Sequence, residues 1–166
     1  IQLSGRAVLN LTEVAVVGEL VDHSPTAVGT DAERVPSLAL DRTLVADLHQ
    51  PTGLVYAGDG LLYIAEEAID RVSGLAKDGT LFPALYVPSP EGMAASPDGQ
   101  NLYVTSYTGG SLWGIHLAEG WNGLLAAGLD HPWGVAVDGL GQIYVANSGA
   151  DEILRFDTDG NERSVQ

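Results

Sequence analysis

A short phrase that occurs three times constrains the fold more than any other feature of this chain. The copies read PTGLVYAGDGLLYIAEE from Pro51, PEGMAASPDGQNLYVTSY from Pro90 and PWGVAVDGLGQIYVANS from Pro132. Each has a Pro-x-Gly start, an apolar stretch, a turn rich in Gly and Asp, and a second apolar stretch around a tyrosine. A repeat of about 40 residues made of short strands is typical of a β-propeller blade.

Each repeat continues into further short strands. A third strand is predicted at 72–75, 111–115 and 152–156, and a fourth at 81–87 and 124–129. Turns such as KDGT and AEGWNG separate these strands, and so many glycines disfavour helices. The sequence therefore predicts an all-β chain of four-stranded propeller blades. A β-sandwich would also use short strands and turns, but it does not explain a phrase that repeats in register.

The repeats divide the chain unevenly. Residues 44–166 contain three clear blades, with repeats starting at 51, 90 and 132, and residues 1–43 are interpreted as part of a degenerate N-terminal blade. Leu44 to Leu48 occupies the place of that blade's last strand, and the final NERSVQ begins another strand. The edges of a ring must be covered. An N-terminal strand could complete the last blade in a compact ring of about four blades, but such rings are uncommon. We therefore expect an incomplete propeller, closed by a protein partner, by a second copy of the chain or by residues outside this sequence.

The repeats resemble a known group of propellers. PEGMAASPDGQNLYVTS and PWGVAVDGLGQIYVANSGADEILRFDTDGN are similar to NHL-type and YVTN-type repeats and to blades of the gluconolactonase/strictosidine-synthase-like superfamily. The resemblance covers residues 44–166 and implies that ligands bind around the channel mouth. For the lactonases it implies a metal held by one Glu and by Asn or Asp. Their asparagine after the first proline of the repeat is replaced here by Thr52, Glu91 and Trp133.

The charge of the chain excludes several classes of partner. There are 22 acidic and 7 basic residues, which gives a formal net charge of −15. Such a surface repels nucleic-acid phosphates and anionic membranes, and no apolar run is long enough to span a bilayer. We therefore expect no nucleic acid and no membrane span, whereas cations and basic partners are favoured. The triplet Asn10-Leu11-Thr12 matches a glycosylation site, and it is the basis for expecting an extracellular or periplasmic protein.

Candidate functional residues fall in two sets of loops. Strands of a blade alternate in direction, so the loop before the first strand (the lead-in loop) and the loop after the second strand (the exit loop) share one face of the ring. Carboxylate and amide oxygens on this face suit calcium or a similar divalent cation. The candidates are Glu91 and Asn147 as metal ligands, His131 or Glu67 as a general base, and Trp133, Tyr107, Glu66 and His49 as contacts for a ligand or partner.

Two functions fit this pattern. The first is a non-catalytic interaction or binding module within a larger extracellular assembly, which needs no cofactor; the replaced asparagines and the lack of a nucleophile–base pair favour it. The second is a metal-dependent, lactonase-like hydrolase that takes a small molecule at the channel mouth. Lyase or amidating chemistry on a similar propeller is a third class, but it would use more histidine and arginine at the channel than the sequence offers.

Overall fold

The computed structural model describes residues 39–157 and 162–164, which contain twelve strands in three four-stranded antiparallel sheets. Blade 1 consists of β1 (Pro51–Tyr56), β2 (Leu62–Glu66), β3 (Arg71–Leu75) and β4 (Leu81–Tyr86). Blade 2 consists of β5 (Pro90–Ala95), β6 (Asn101–Ser106), β7 (Ser111–His116) and β8 (Trp121–Ala127). Blade 3 consists of β9 (Pro132–Val137), β10 (Ile143–Asn147), β11 (Glu152–Phe156) and β12 (Glu162–Ser164).

The predicted all-β propeller architecture is confirmed, because the strands of every blade pair in sequence order. Two local predictions were wrong. Trp121 was expected in a turn but begins β8, where it pairs with His116 and stacks on its ring at a centroid distance of 6.4 Å. The stretch 44–48 was expected to be a strand but is irregular. Residues 1–38 lie outside the described ranges, so the degenerate first blade stays a prediction.

Successive blades pack face to face through apolar clusters. Tyr63 and Val72 of blade 1 are buried against blade 2, and Tyr103 and Leu112 of blade 2 are buried against blade 3. The repeated tyrosines therefore pack between blades in the first two repeats. Tyr144 occupies the same place in blade 3, where it is only half-buried.

The glycine of the Pro-x-Gly start allows the first strands to approach one another closely. A Cβ atom added to Gly53 would lie under 3.0 Å from the carbonyl oxygen of Glu91, and one added to Gly92 would lie equally close to the carbonyl oxygen of Trp133. The Thr105 hydroxyl donates a hydrogen bond to that same Trp133 carbonyl at 2.6 Å. Backbone contacts between first strands thus fix the spacing of the blades.

The described residues belong almost entirely to one compact unit, Arg42–Gln166. Within it the three blades follow one another, and the ring is not closed. In residues 39–157 and 162–164, no helix has the length and hydropathy needed to cross a membrane.

Candidate functional site

Each lead-in loop turns sharply just before its proline. Gln50, Ser89 and His131 have φ angles of 53°, 42° and 48°, a left-handed region that residues other than glycine seldom adopt. The exit loop bonds to this turn: the Glu67 N–H donates to the Gln50 carbonyl at 3.1 Å, and the Tyr107 N–H donates to the Ser89 carbonyl at 3.0 Å. The two sets of loops therefore meet on one face, as the strand order predicts.

The last residue of the second strand holds each lead-in loop in place. It uses a carboxylate in blade 1, a hydroxyl in blade 2 and an amide in blade 3. Glu66 accepts from the His49 N–H at 3.0 Å, Ser106 donates to the Pro88 carbonyl at 2.5 Å, and Asn147 accepts from the Asp130 N–H at 2.7 Å. The same position thus has the same structural task in all three blades.

Glu66 lies at the centre of a buried hydrogen-bond network. Its oxygens accept from the Arg71 guanidinium at 2.8 Å, the Ser73 hydroxyl at 2.5 Å and the His49 backbone, and the His49 ring lies 3.2 Å away. Burial alone would raise the pKa of Glu66, but these hydrogen bonds outweigh it and hold the pKa at about 2. Both oxygens of this predicted contact residue are therefore engaged within blade 1, together with His49.

Asn147, a predicted metal ligand, is engaged at both ends of its amide. Its oxygen accepts from the Asp130 N–H, and its nitrogen donates to Glu152 at 2.7 Å. In the described parts of the chain, no group of three or more His, Cys, Asp or Glu side chains is placed to hold a metal ion.

Glu91, the other predicted metal ligand, is not fully hydrogen-bonded, unlike Asn147. Its side chain is buried, with 9% of its surface exposed, and its Oε2 atom has no hydrogen-bond partner among the described residues. Burial raises the pKa of Glu91 and the nearby Glu67 carboxylate raises it further, whereas the Thr52 hydroxyl opposes both effects. Glu67 itself accepts hydrogen bonds from Gln50 and, at 3.4 Å, from Ser89. A charged Glu91 is therefore incompletely solvated.

Three predicted residues form an aromatic group on the same face. The Tyr107 ring lies 4.9 Å from the His131 ring and 5.4 Å from the Trp133 ring, which it meets edge to face. Trp133 is 56% exposed. His131 also lies 2.5 Å from Asp130, Nδ1 to Oδ1. The group therefore offers accessible aromatic surface beside a carboxylate.

The acidic pair and the aromatic pair occupy equivalent positions in consecutive repeats. Glu67 and Tyr107 each follow the last residue of a second strand, and Glu91 and Trp133 each follow a lead-in proline. Glu91 and Trp133 thus lie on neighbouring first strands, β5 and β9. We call Glu67, Glu91, Tyr107, His131 and Trp133 the acidic–aromatic patch. The sequence placed these residues on one face, but their pairing becomes visible only when the exit loop of one repeat is aligned with the lead-in loop of the next.

A cavity of about 470 Å³ lies at the opposite face, between blades 2 and 3. It is lined mainly by the turns that join first and second strands and by the stacked ring pair of β7 and β8. Its lining includes Asp98, Tyr103, His116, Trp121, Leu125 and Leu140. No site was predicted on this face from the sequence.

Comparisons with known proteins agree with this fold. Residues 129–156, which include most of blade 3, match the model of the NHL repeat. No match was found among curated proteins. Many solved structures are similar, and three of them illustrate the range.

A virginiamycin B lyase from Staphylococcus aureus has 19% identity and a TM-score of 0.61, with 70% of this chain and 41% of that chain covered. A gluconolactonase from Xanthomonas campestris has 24% identity and a TM-score of 0.60, with 75% and 49% covered. A chain of a nidogen/laminin complex has 21% identity and a TM-score of 0.61, with 69% and 47% covered. This chain thus spans less than half the length of each, and at these identities the likeness shows the fold.

Proposed function

We propose that this chain is a non-catalytic binding module that takes a basic ligand or protein segment at the acidic–aromatic patch. The observation that carries the proposal is the exposed ring of Trp133, in contact with Tyr107. Trp133 lies on β9, the neighbour of β5, which carries the incompletely solvated carboxylate of Glu91. A guanidinium group stacks on aromatic faces and forms paired hydrogen bonds with carboxylates. The patch places aromatic rings and carboxylates on one face, so both kinds of interaction are proposed for the ligand.

The charge of the whole chain supports the same ligand class. A formal net charge of −15 attracts cations over a long range and speeds their association at low salt. Glu91 adds a local contribution, because a bound cation would compensate a carboxylate that burial has partly deprived of water. The nidogen/laminin complex is one case in which a chain of similar fold belongs to a protein assembly. An extracellular location fits this proposal and stays a prediction.

The proposal is tested by titrating the ¹⁵N-labelled chain with N-acetyl-arginine amide and following backbone amide shifts by NMR. We expect saturable shifts confined to the lead-in and exit loops, with a Kd of about 1 mM, which corresponds to about 4 kcal/mol for a ligand of this size. N-acetyl-glutamate amide is the control ligand. Equal shifts with the glutamate compound, or none with the arginine compound, would contradict the proposal.

Matched variants identify the surface responsible. Trp133→Leu and Glu67→Gln should each weaken binding several-fold, because each removes an interaction worth about 1 kcal/mol. Trp121→Leu is the control, since Trp121 is also half-exposed and paired with a histidine, but lies on the opposite face. If Trp121→Leu weakened binding as much as Trp133→Leu, the assignment to the patch would be wrong.

A metal-dependent, lactonase-like hydrolase is a second candidate, favoured by one observation. Glu91 follows the first proline of its repeat, the position at which the lactonases have an asparagine. Its buried Oε2 atom has no hydrogen-bond donor among the described residues, and the gluconolactonase shares the fold. A divalent cation held there would act as a Lewis acid on a lactone carbonyl. Calorimetry with Ca²⁺ and with Zn²⁺, followed by a lactone screen, tests this candidate. Binding and turnover that are lost in Glu91→Gln would support it, and equal results for both proteins would reject it.

A further inference from the structure

Each of the three blades has a sheet face that is directed towards the following blade, but the described residues cover this face in only two of them. This face, directed towards the following blade, carries the first-strand glycine and an apolar side chain of the third strand. In blade 1 it packs on blade 2, and in blade 2 it packs on blade 3. We call it the forward face. In blade 3 the described residues provide nothing that covers it.

The difference is visible at equivalent positions. A Cβ atom added to Gly92 meets the backbone of the next blade, but one added to Gly134 meets nothing within 4 Å. Val72 and Leu112 are fully buried on the forward faces of blades 1 and 2, whereas Ile153 in the same place on blade 3 is 50% exposed. Gly134 and Ile153 thus match the glycine and the apolar side chain of the two covered faces, whereas Arg155 stands where those faces have Gly74 and Gly114.

The first strand of blade 1 presents the complementary surface. Its Leu54 is 68% exposed and Tyr56 is also exposed. The residues equivalent to Leu54 are Met93 and Val135, and each packs against the cluster that joins its blade to the preceding one. The chain therefore carries both halves of an interface that it already uses twice internally.

We propose that a second copy of this chain docks head to tail, with β9 of one copy beside β1 of the other. A two-fold axis then makes both junctions equivalent, so that the interfaces close into a ring instead of a filament. The described blades of two copies number six. This proposal does not depend on the acidic–aromatic patch.

Sedimentation velocity over a series of protein concentrations tests the proposal. We expect a dimer that tightens as salt rises, because two copies of charge −15 repel each other less when screened. Ile153→Lys and Leu54→Lys should each raise the dimer Kd at least about 30-fold, as at a hot-spot position. Leu124→Lys is the control, because Leu124 is similarly exposed but lies on β8, the outer strand of blade 2. Circular dichroism checks that all three variants stay folded.

Mixing the variants tests the head-to-tail arrangement. Ile153→Lys damages the forward face of blade 3, and Leu54→Lys damages the first strand of blade 1. Each variant alone has two damaged junctions in a closed dimer, but a mixture of the two restores one intact junction. We therefore expect the mixture to associate more tightly than either variant alone. A wild-type chain that stays monomeric, a dimer that neither substitution weakens, or a mixture that does not associate would overturn the proposal.

Discussion

Gly92→Ala is the sharpest test of how the blades are joined, because the chain contains a matched control at Gly134. A methyl group on Gly92 would lie under 3.0 Å from the Trp133 carbonyl oxygen and 3.1 Å from the Gly134 Cα, whereas ordinary contact begins at 3.4 Å. Both neighbours are backbone atoms of β9, which is paired with β10 on either side of them, at Pro132 and at Val135. The strand has to shift, and overpacking of this kind costs about 3 kcal/mol.

We expect the control, Gly134→Ala, to raise the free energy of unfolding instead of lowering it. Neither glycine has a positive φ, so alanine fits both backbones and reduces the entropy of the unfolded chain, which stabilises the fold by about 0.4–1 kcal/mol. At Gly134 nothing offsets this gain in the isolated chain. We therefore expect the free energies of unfolding of the two variants to differ by about 3 kcal/mol.

Urea denaturation, followed by circular dichroism, measures both variants at a concentration low enough to keep the chain monomeric. Equal m-values would show that the two variants unfold between comparable states. Two variants with the same stability would refute the argument, because that result would mean that β5 and β9 are not in backbone contact.

Two buried carboxylates and one hydroxyl give the remaining predictions. Hydrogen bonds lower the pKa of Glu66 to about 2, so the stability that the charged Glu66 contributes is complete above the ordinary carboxyl pKa and is lost as pH falls towards 2. We expect Glu66→Gln to lower the free energy of unfolding by at most about 3 kcal/mol at pH 7 and to have no such effect at low pH. Burial raises the pKa of Glu91, so we expect Glu91→Gln, measured in the presence of a chelator, to stabilise the protein at pH 7 and to lose this advantage as pH falls through the carboxyl range. A Glu91→Gln variant less stable than the wild type would contradict the claim that the Glu91 carboxylate lacks a hydrogen-bond partner. Thr105→Val removes the 2.6 Å hydrogen bond to the Trp133 carbonyl and should lower the free energy of unfolding by about 2 kcal/mol, whereas the exposed Thr108→Val should change it by less than about 0.5 kcal/mol.

The blades could be predicted from the sequence because each strand leaves a local signal. The Pro-x-Gly start and the Gly/Asp turns mark the strand ends, and their repetition in register separates a propeller from other all-β folds. Trp121 shows where local signals fail. It follows a glycine-containing turn and looks like part of it, but the partner that draws it into β8 is His116 on the neighbouring strand.

The candidate site was predictable only in part. The alternation of strands predicts Tyr107, His131 and Trp133 on one face, and in the structure the Tyr107 ring contacts the other two rings. The same reasoning could not show that Glu66 and Asn147 turn inward. From the sequence alone, a polar residue at a strand end that faces a ligand cannot be distinguished from one that binds a backbone group some 17 residues away. That distinction depends on tertiary contacts.

In the lead-in loops, the residues that hold the backbone turn differ from those at its left-handed positions, so the latter can be varied without changing the loop structure. The backbone turn is held by the residue at the end of the second strand. Gln50, Ser89 and His131 already differ in chemistry although all three have a positive φ. Their side chains are therefore not required to define the loop. These three positions suit a combinatorial library in which specificity is varied blade by blade, while the inward-facing residues are kept as a constant frame.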